Sequence, residues 1–89
     1  MNPTYTVEFT GASAKELRKL DPPLRRRILD VIAGLEQEPR PAGAVKLAGF
    51  NDAWRIRVNE YRVLYEVLDD AVLVTVCRVG HRRDVYGKL

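Results

Sequence analysis

From Thr4 to Thr10 apolar and polar side chains alternate, with Tyr5, Val7 and Phe9 on one side and Thr6, Glu8 and Thr10 on the other. A period of two predicts a strand with one buried face, and Gly11 interrupts it. The period then lengthens. Ala14, Leu17 and Leu20 recur at helical spacing while Lys15, Arg18 and Lys19 point outward, which predicts a short helix over about Ala12 to Leu20. Asp21-Pro22-Pro23 marks a boundary, because a proline keeps the residue before it out of helical dihedrals. Asp is a favoured N-cap, and Pro suits the first helical position. A second helix is expected from Pro22 to Gln37, buried along Leu24, Ile28, Val31, Ile32 and Leu35. Gly34 weakens that helix and suggests that another backbone approaches it.

Pro39-Arg40-Pro41 closes the helical part, and Ala42 to Asp52 reads as a loop with an apolar patch at Val45 and Leu47. Three strands follow. In Ala53 to Val58, Trp54, Ile56 and Val58 share one face and Arg55 and Arg57 the other. Tyr61 to Leu68 is rich in aromatic and branched residues, and Asp69-Asp70 makes a turn. Ala71 to Val79 is almost wholly apolar, as in a strand covered on both faces. Gly80 ends it, and His81 to Leu89 is a polar tail. Strand, two-helix hairpin and three-stranded meander make an α+β fold, with a mainly antiparallel sheet and the helices on one face. Residues 1–89 are expected to form a single domain, with no repeat or linker. The face away from the helices is the natural place for function.

Composition narrows the classes. No run approaches the roughly 18 apolar residues of a membrane span. Met1 to Thr10 lacks the basic region and apolar run of a signal peptide, so a cytoplasmic location away from membranes is expected. The single cysteine, Cys77, excludes an internal disulfide and reads as a small buried residue. One His and one Cys give no zinc set, and no cofactor motif is present. The net charge is only +3, yet eleven of the 15 basic residues are Arg. Arg presents a planar fork of donors that matches phosphate, which favours nucleic acid or an acidic protein as partner.

The basic residues are not scattered evenly. Arg55 and Arg57 project from one sheet face roughly 6 to 7 Å apart, and Arg62 follows in the next strand. The tail adds His81, Arg82, Arg83 and Tyr86: a proton-transfer group, charge clamps and a ring that can stack on a base. A solvated face would serve as well with Lys as with Arg, so the choice of Arg points to an anion-binding face, with RNA as the expected ligand. Arg25-Arg26-Arg27 lies on a helix, where consecutive residues diverge, and reads first as solvation.

In their order and spacing, the Trp54-Arg55-Ile56-Arg57 strand, the Tyr61-Arg62-Val63-Leu64-Tyr65 strand and the ending Val79-Gly80-His81-Arg82-Arg83-Asp84-Val85-Tyr86 resemble the RelE branch of the RelE/ParE toxin superfamily. Pro39-Arg40-Pro41 and Lys46-Leu47 fit as well, and the likeness spans nearly the whole chain. The resemblance implies a type II toxin that cuts mRNA in the ribosomal A site without a metal or other cofactor, by attack of a ribose 2′-hydroxyl on the adjacent phosphorus. It also implies a RelB-like antitoxin as partner, with operator DNA bound only through that antitoxin. By position, Arg55 and Arg57 stand for two family lysines, and Arg62 for the phosphate-binding arginine. Arg82 stands for the transition-state stabiliser or acid, and Tyr86 for the residue that stacks on the base. Since Arg does not lose its proton, Arg55 and Arg57 are expected to clamp charge, which leaves His81 as the candidate base. Two other readings remain open at this point: a ParE-like inhibitor of DNA gyrase, and a non-catalytic antitoxin-binding or co-repressor protein.

Overall fold

The computed structural model describes residues 3–85. Its sheet has five strands in the order β1-β5-β4-β3-β2. These are β1 (Thr6–Phe9), β2 (Val45–Lys46), β3 (Ala53–Val58), β4 (Tyr61–Leu68) and β5 (Leu73–His81). Helices α1 (Gly11–Arg18) and α2 (Pro22–Gly34) come between β1 and β2. The β1–β5 pair is parallel and the others are antiparallel. Both helices cover one face: Leu17, Ile28, Ile32 and Leu35 pack on Ile56, Val58, Val63, Tyr65, Val67, Val74, Val76 and Val79. No helix among the described residues is long and apolar enough to cross a membrane.

Local chemistry explains where the elements begin and end, and it corrects several expectations. Helix α1 starts at Gly11 because the Thr10 hydroxyl accepts the Ser13 N–H at 3.2 Å. Asp21 occupies the N-cap of α2, but its side chain makes no capping hydrogen bond, and the proline pair sets the start. Helix α2 stops at Gly34, short of the expected Gln37. No atom outside that helix lies near where a Gly34 side chain would be, so no close backbone approach occurs there. Val45–Lys46 is a short edge strand instead of loop, held by pairing with Arg55 and Trp54 of β3.

Strand β5 departs from its expected form in a way that shapes the site. It runs past Gly80 to His81 and carries a bulge at Cys77, where the register slips between Leu64/Arg78 and Tyr65/Val76. A bulge exchanges the faces of every residue beyond it. Val74 and Val76 face the helices before it, and Val79 and His81 do so after it. Glu16 of α1 supports the irregularity by accepting the Val79 N–H at 2.9 Å and pairing with Arg78 at 3.5 Å. The Cys77 thiol lies half-buried in the bulge, and burial pushes its pKa up to about 11, so it stays protonated and inert.

Tyr65, at the centre of the core, donates a 2.8 Å hydrogen bond to the Pro39 carbonyl. Burial raises its pKa to about 12. Unfolded Tyr ionises near pH 10, so above that pH the unfolded chain loses a proton that the folded chain keeps. This contribution to stability is full below about pH 10 and is lost as pH rises through about 12. Denaturant titrations from pH 8 to 12 should show that decline. Tyr65→Phe should start less stable by about 1 kcal/mol, having lost the hydrogen bond, and should decline less steeply.

Candidate functional site

The open face of the sheet, opposite the helices, carries a shallow depression of about 360 Å³ lined by Arg55, Arg57, Arg62, Arg82 and Arg83. Strand parity supplies three of them. Trp54, Ile56 and Val58 turn to the core, so Arg55 and Arg57 turn away. Tyr61, Val63, Tyr65 and Val67 do the same for Arg62. Arg57 and Arg62 are register partners across β3 and β4, and Arg62 in turn pairs with Gly80 of β5.

Gly80 brings in the remaining two. Placed on the open face by the bulge, it offers no side chain, and Val85 sits in the space: a Cβ on Gly80 would lie 3.3 Å from the Cβ of Val85. Val85 is fully buried there. The chain therefore folds back over the sheet after β5, in a turn closed by a 2.9 Å bond from the Asp84 N–H to the His81 carbonyl. Arg82 and Arg83 ride on this turn. The Arg82 N–H donates to the Glu60 carbonyl at 2.8 Å, and its side chain pairs with the Glu60 carboxylate at 2.9 Å.

Arg62 is the most telling member. It is only 6% exposed, and its guanidinium donates at 3.1 Å to the Tyr61 carbonyl. No carboxylate among the described residues pairs with it, or with Arg55, Arg57 or Arg83. A buried cation without a counter-ion is costly, and its three unpaired neighbours, Arg55, Arg57 and Arg83, add repulsion unless an anion enters. Other arginines of the chain are spent on the fold. Arg40 forms a two-pronged pair with Asp69 at 3.2 and 2.8 Å and stacks on Trp54, and Arg78 pairs with Glu16. Arg25 and Arg27 bond to Arg18 and Asn59.

The structure thus brings together Arg55, Arg57, Arg62 and Arg82 and adds Arg83, whose place beside Arg82 in the tail was the only hint in the sequence. It does not bring in His81. That residue pairs with Tyr61 on the helix side of the sheet, the rings meeting edge to face at 5.7 Å, and its Nδ1 accepts the Arg83 N–H at 3.2 Å. The bulge at Cys77 is the reason, since it moved His81 off the face that an unbroken strand would have given it. Tyr86 lies outside the described residues.

Comparison with known proteins agrees with this architecture. Residues 7–86 match the family described as ParE toxin of type II toxin-antitoxin systems, parDE. The chain is 32% identical to the toxin RelG of Mycobacterium tuberculosis over 94% of its length and 98% of the relative's. It is 33% identical to the mRNA interferase toxin RelE of Escherichia coli over 94% of this chain and 92% of that one. Among solved structures, isolated E. coli RelE superposes with a TM-score of 0.78 at 32% identity, covering 86% of this chain and 83% of that one. The toxin-antitoxin complex RelBE2 of M. tuberculosis gives a TM-score of 0.80 at 30% identity, covering 94% and 98%. The RelE–RelB complex of Pyrococcus horikoshii gives 0.81 at 30%, covering 91% and 98%. The broad family match and the near full-length likeness to RelE toxins together show that this chain belongs to the RelE/ParE superfamily of type II toxins, in its RelE-like branch.

Proposed function

We propose that this toxin is a metal-independent endoribonuclease that cuts mRNA in the ribosomal A site and so stops translation. The observation that carries the reading is Arg62, buried at the depression without a counter-ion among the described residues and surrounded by four more arginines. The likeness to a toxin named an mRNA interferase supports the choice of RNA. In the reaction the ribose 2′-oxygen bonds to the adjacent phosphorus, giving up its proton to water. The phosphorus–O5′ bond then breaks, and O5′ leaves as a hydroxyl after taking a proton. A 2′,3′-cyclic phosphate and a 5′-hydroxyl remain. Negative charge grows on the phosphorane oxygens, where fixed guanidinium groups stabilise it most. Arg55, Arg57 and Arg62 clamp the phosphate, Arg82 meets the developing charge, and Tyr86 stacks on the neighbouring base. None of the arginines can act as a base, and His81 stands on the other face. Rate enhancement in this chain therefore comes from charge stabilisation. The need for a 2′-hydroxyl restricts the substrate to RNA.

The solved relatives that are complexes pair RelE with RelB, and a RelB-like antitoxin is the partner we assign to this chain in the cytoplasm. Operator DNA would be reached through that antitoxin. Expression without antitoxin, read by primer extension on a reporter mRNA, tests the function. Wild type should arrest growth and produce discrete cuts, and Arg82→Ala should do neither. Arrest by both with no cuts, together with inhibited gyrase supercoiling, would instead support a ParE-like reading.

A further inference from the structure

We propose that Glu60 is a positioning residue that sets the Arg82 guanidinium for the transition state, a role that rests on the RNase reading above. Glu60 closes the two-residue turn between β3 and β4. Asn59 beside it takes a left-handed backbone, φ 55°, which tight hairpins require and Asn tolerates. Arg27 of α2 bonds to the Asn59 side chain at 3.2 Å, so the turn is braced from the helix side. From that braced turn Glu60 holds Arg82 twice, by its backbone carbonyl at 2.8 Å and by its carboxylate, 2.9 Å from Arg82 Nε. A pair made at Nε leaves the two terminal nitrogens, with four N–H groups, for a phosphate.

Neither affinity nor stability accounts for this carboxylate. It is the one acid among the described residues that pairs with any of the five arginines of the depression. A negative charge there weakens attraction for RNA. The two side chains are 52% and 62% exposed, and such exposed pairs add little to stability. Orientation does account for it. Arg82 is a long side chain on a surface turn, and tying its inner nitrogen removes rotamer freedom before RNA arrives. A reacting group that is already aimed is worth far more than one that must be found.

The test is cleavage of ribosome-bound mRNA by wild type, Glu60→Gln, Arg82→Ala and the double variant, with thermal midpoints measured alongside. Glu60→Gln should lower kcat by about ten- to a hundredfold, with KM unchanged or lower because a negative charge has gone. Its thermal midpoint should match wild type. In the Arg82→Ala background the same substitution should have no further effect, since Glu60 acts through Arg82. A Glu60→Gln protein as fast as wild type overturns the assignment, and so does an additional loss in the Arg82→Ala background. A displaced pH profile in Glu60→Gln also overturns it, by making Glu60 a proton acceptor. If Arg82→Ala is slow while Glu60→Gln cuts as fast as wild type, only this inference fails. If Arg82→Ala cuts like wild type, the RNase assignment of Arg82 fails with it.

Discussion

Arg62→Ala is expected to lower mRNA cleavage by about a hundred- to a thousandfold, the usual cost of deleting one fixed donor to a developing oxyanion. The burial of Arg62 is what makes the effect large. At 6% exposure its guanidinium is screened little by water and is already held by the Tyr61 carbonyl. It therefore needs no reorganisation when charge develops. Arg62→Lys should recover only part of the rate, because an ammonium cannot present two parallel donors to a phosphate. Stability should move the other way. Removing a buried cation that lacks a carboxylate partner among the described residues relieves a desolvation cost, so the alanine variant should melt no lower than wild type and should purify folded. Cleavage kinetics together with a thermal melt separate the cases. A variant that is slow because it is unfolded, or one that keeps full activity, would contradict the role given to Arg62.

Gly80→Val should cost about a hundredfold in cleavage although it removes no arginine. The added Cβ alone would stand 3.3 Å from the Val85 Cβ and 3.6 Å from its Cα, and two further methyl groups extend into the same space. Val85 is fully buried, and close packing opposes its retreat. The segment that carries Arg82 and Arg83 must lift instead, and a displacement of about 1 Å at a reacting group can cost a hundredfold. Overpacking should also destabilise by about 1–3 kcal/mol. Gly80→Ala asks for a shift of only a few tenths of an ångström and should retain most activity. Equal activity of Gly80→Val and wild type would show that the Val85 seat does not set the arginine turn.

How much of this was legible in the sequence depended on whether a contact was local. Trp54, Ile56 and Val58 alternate with Arg55 and Arg57, and Tyr61, Val63, Tyr65 and Val67 alternate with Arg62. The open-face arginines of β3 and β4 could therefore be read from period alone. The N-terminal strand and both helices were equally visible in their spacing. Strand β5 was not, because Val72 to Val79 is apolar nearly throughout and shows no alternation in which a bulge would leave a mark. The face of every residue after Cys77 was hidden for that reason, which is why His81 reads as a member of the site and stands on the other side. Val45–Lys46 is a strand only through its partners on β3, and no short-range signal marks it. Arg82 was noticed from its company in the tail, but its place over the sheet depends on Val85 docking against Gly80 and on Glu60 in a distant hairpin. Such contacts join residues that no window of sequence compares.

The account turns on whether the arginine depression breaks RNA through its own 2′-hydroxyl. The direct measurement uses ribosomes carrying two messages that differ at one nucleotide, with ribose or 2′-deoxyribose at the A-site position where cutting occurs. The account predicts that purified toxin cuts the ribose message to a 2′,3′-cyclic phosphate and a 5′-hydroxyl, and leaves the deoxy message intact. Cutting of both messages, or of neither by a toxin that still arrests growth, would contradict it.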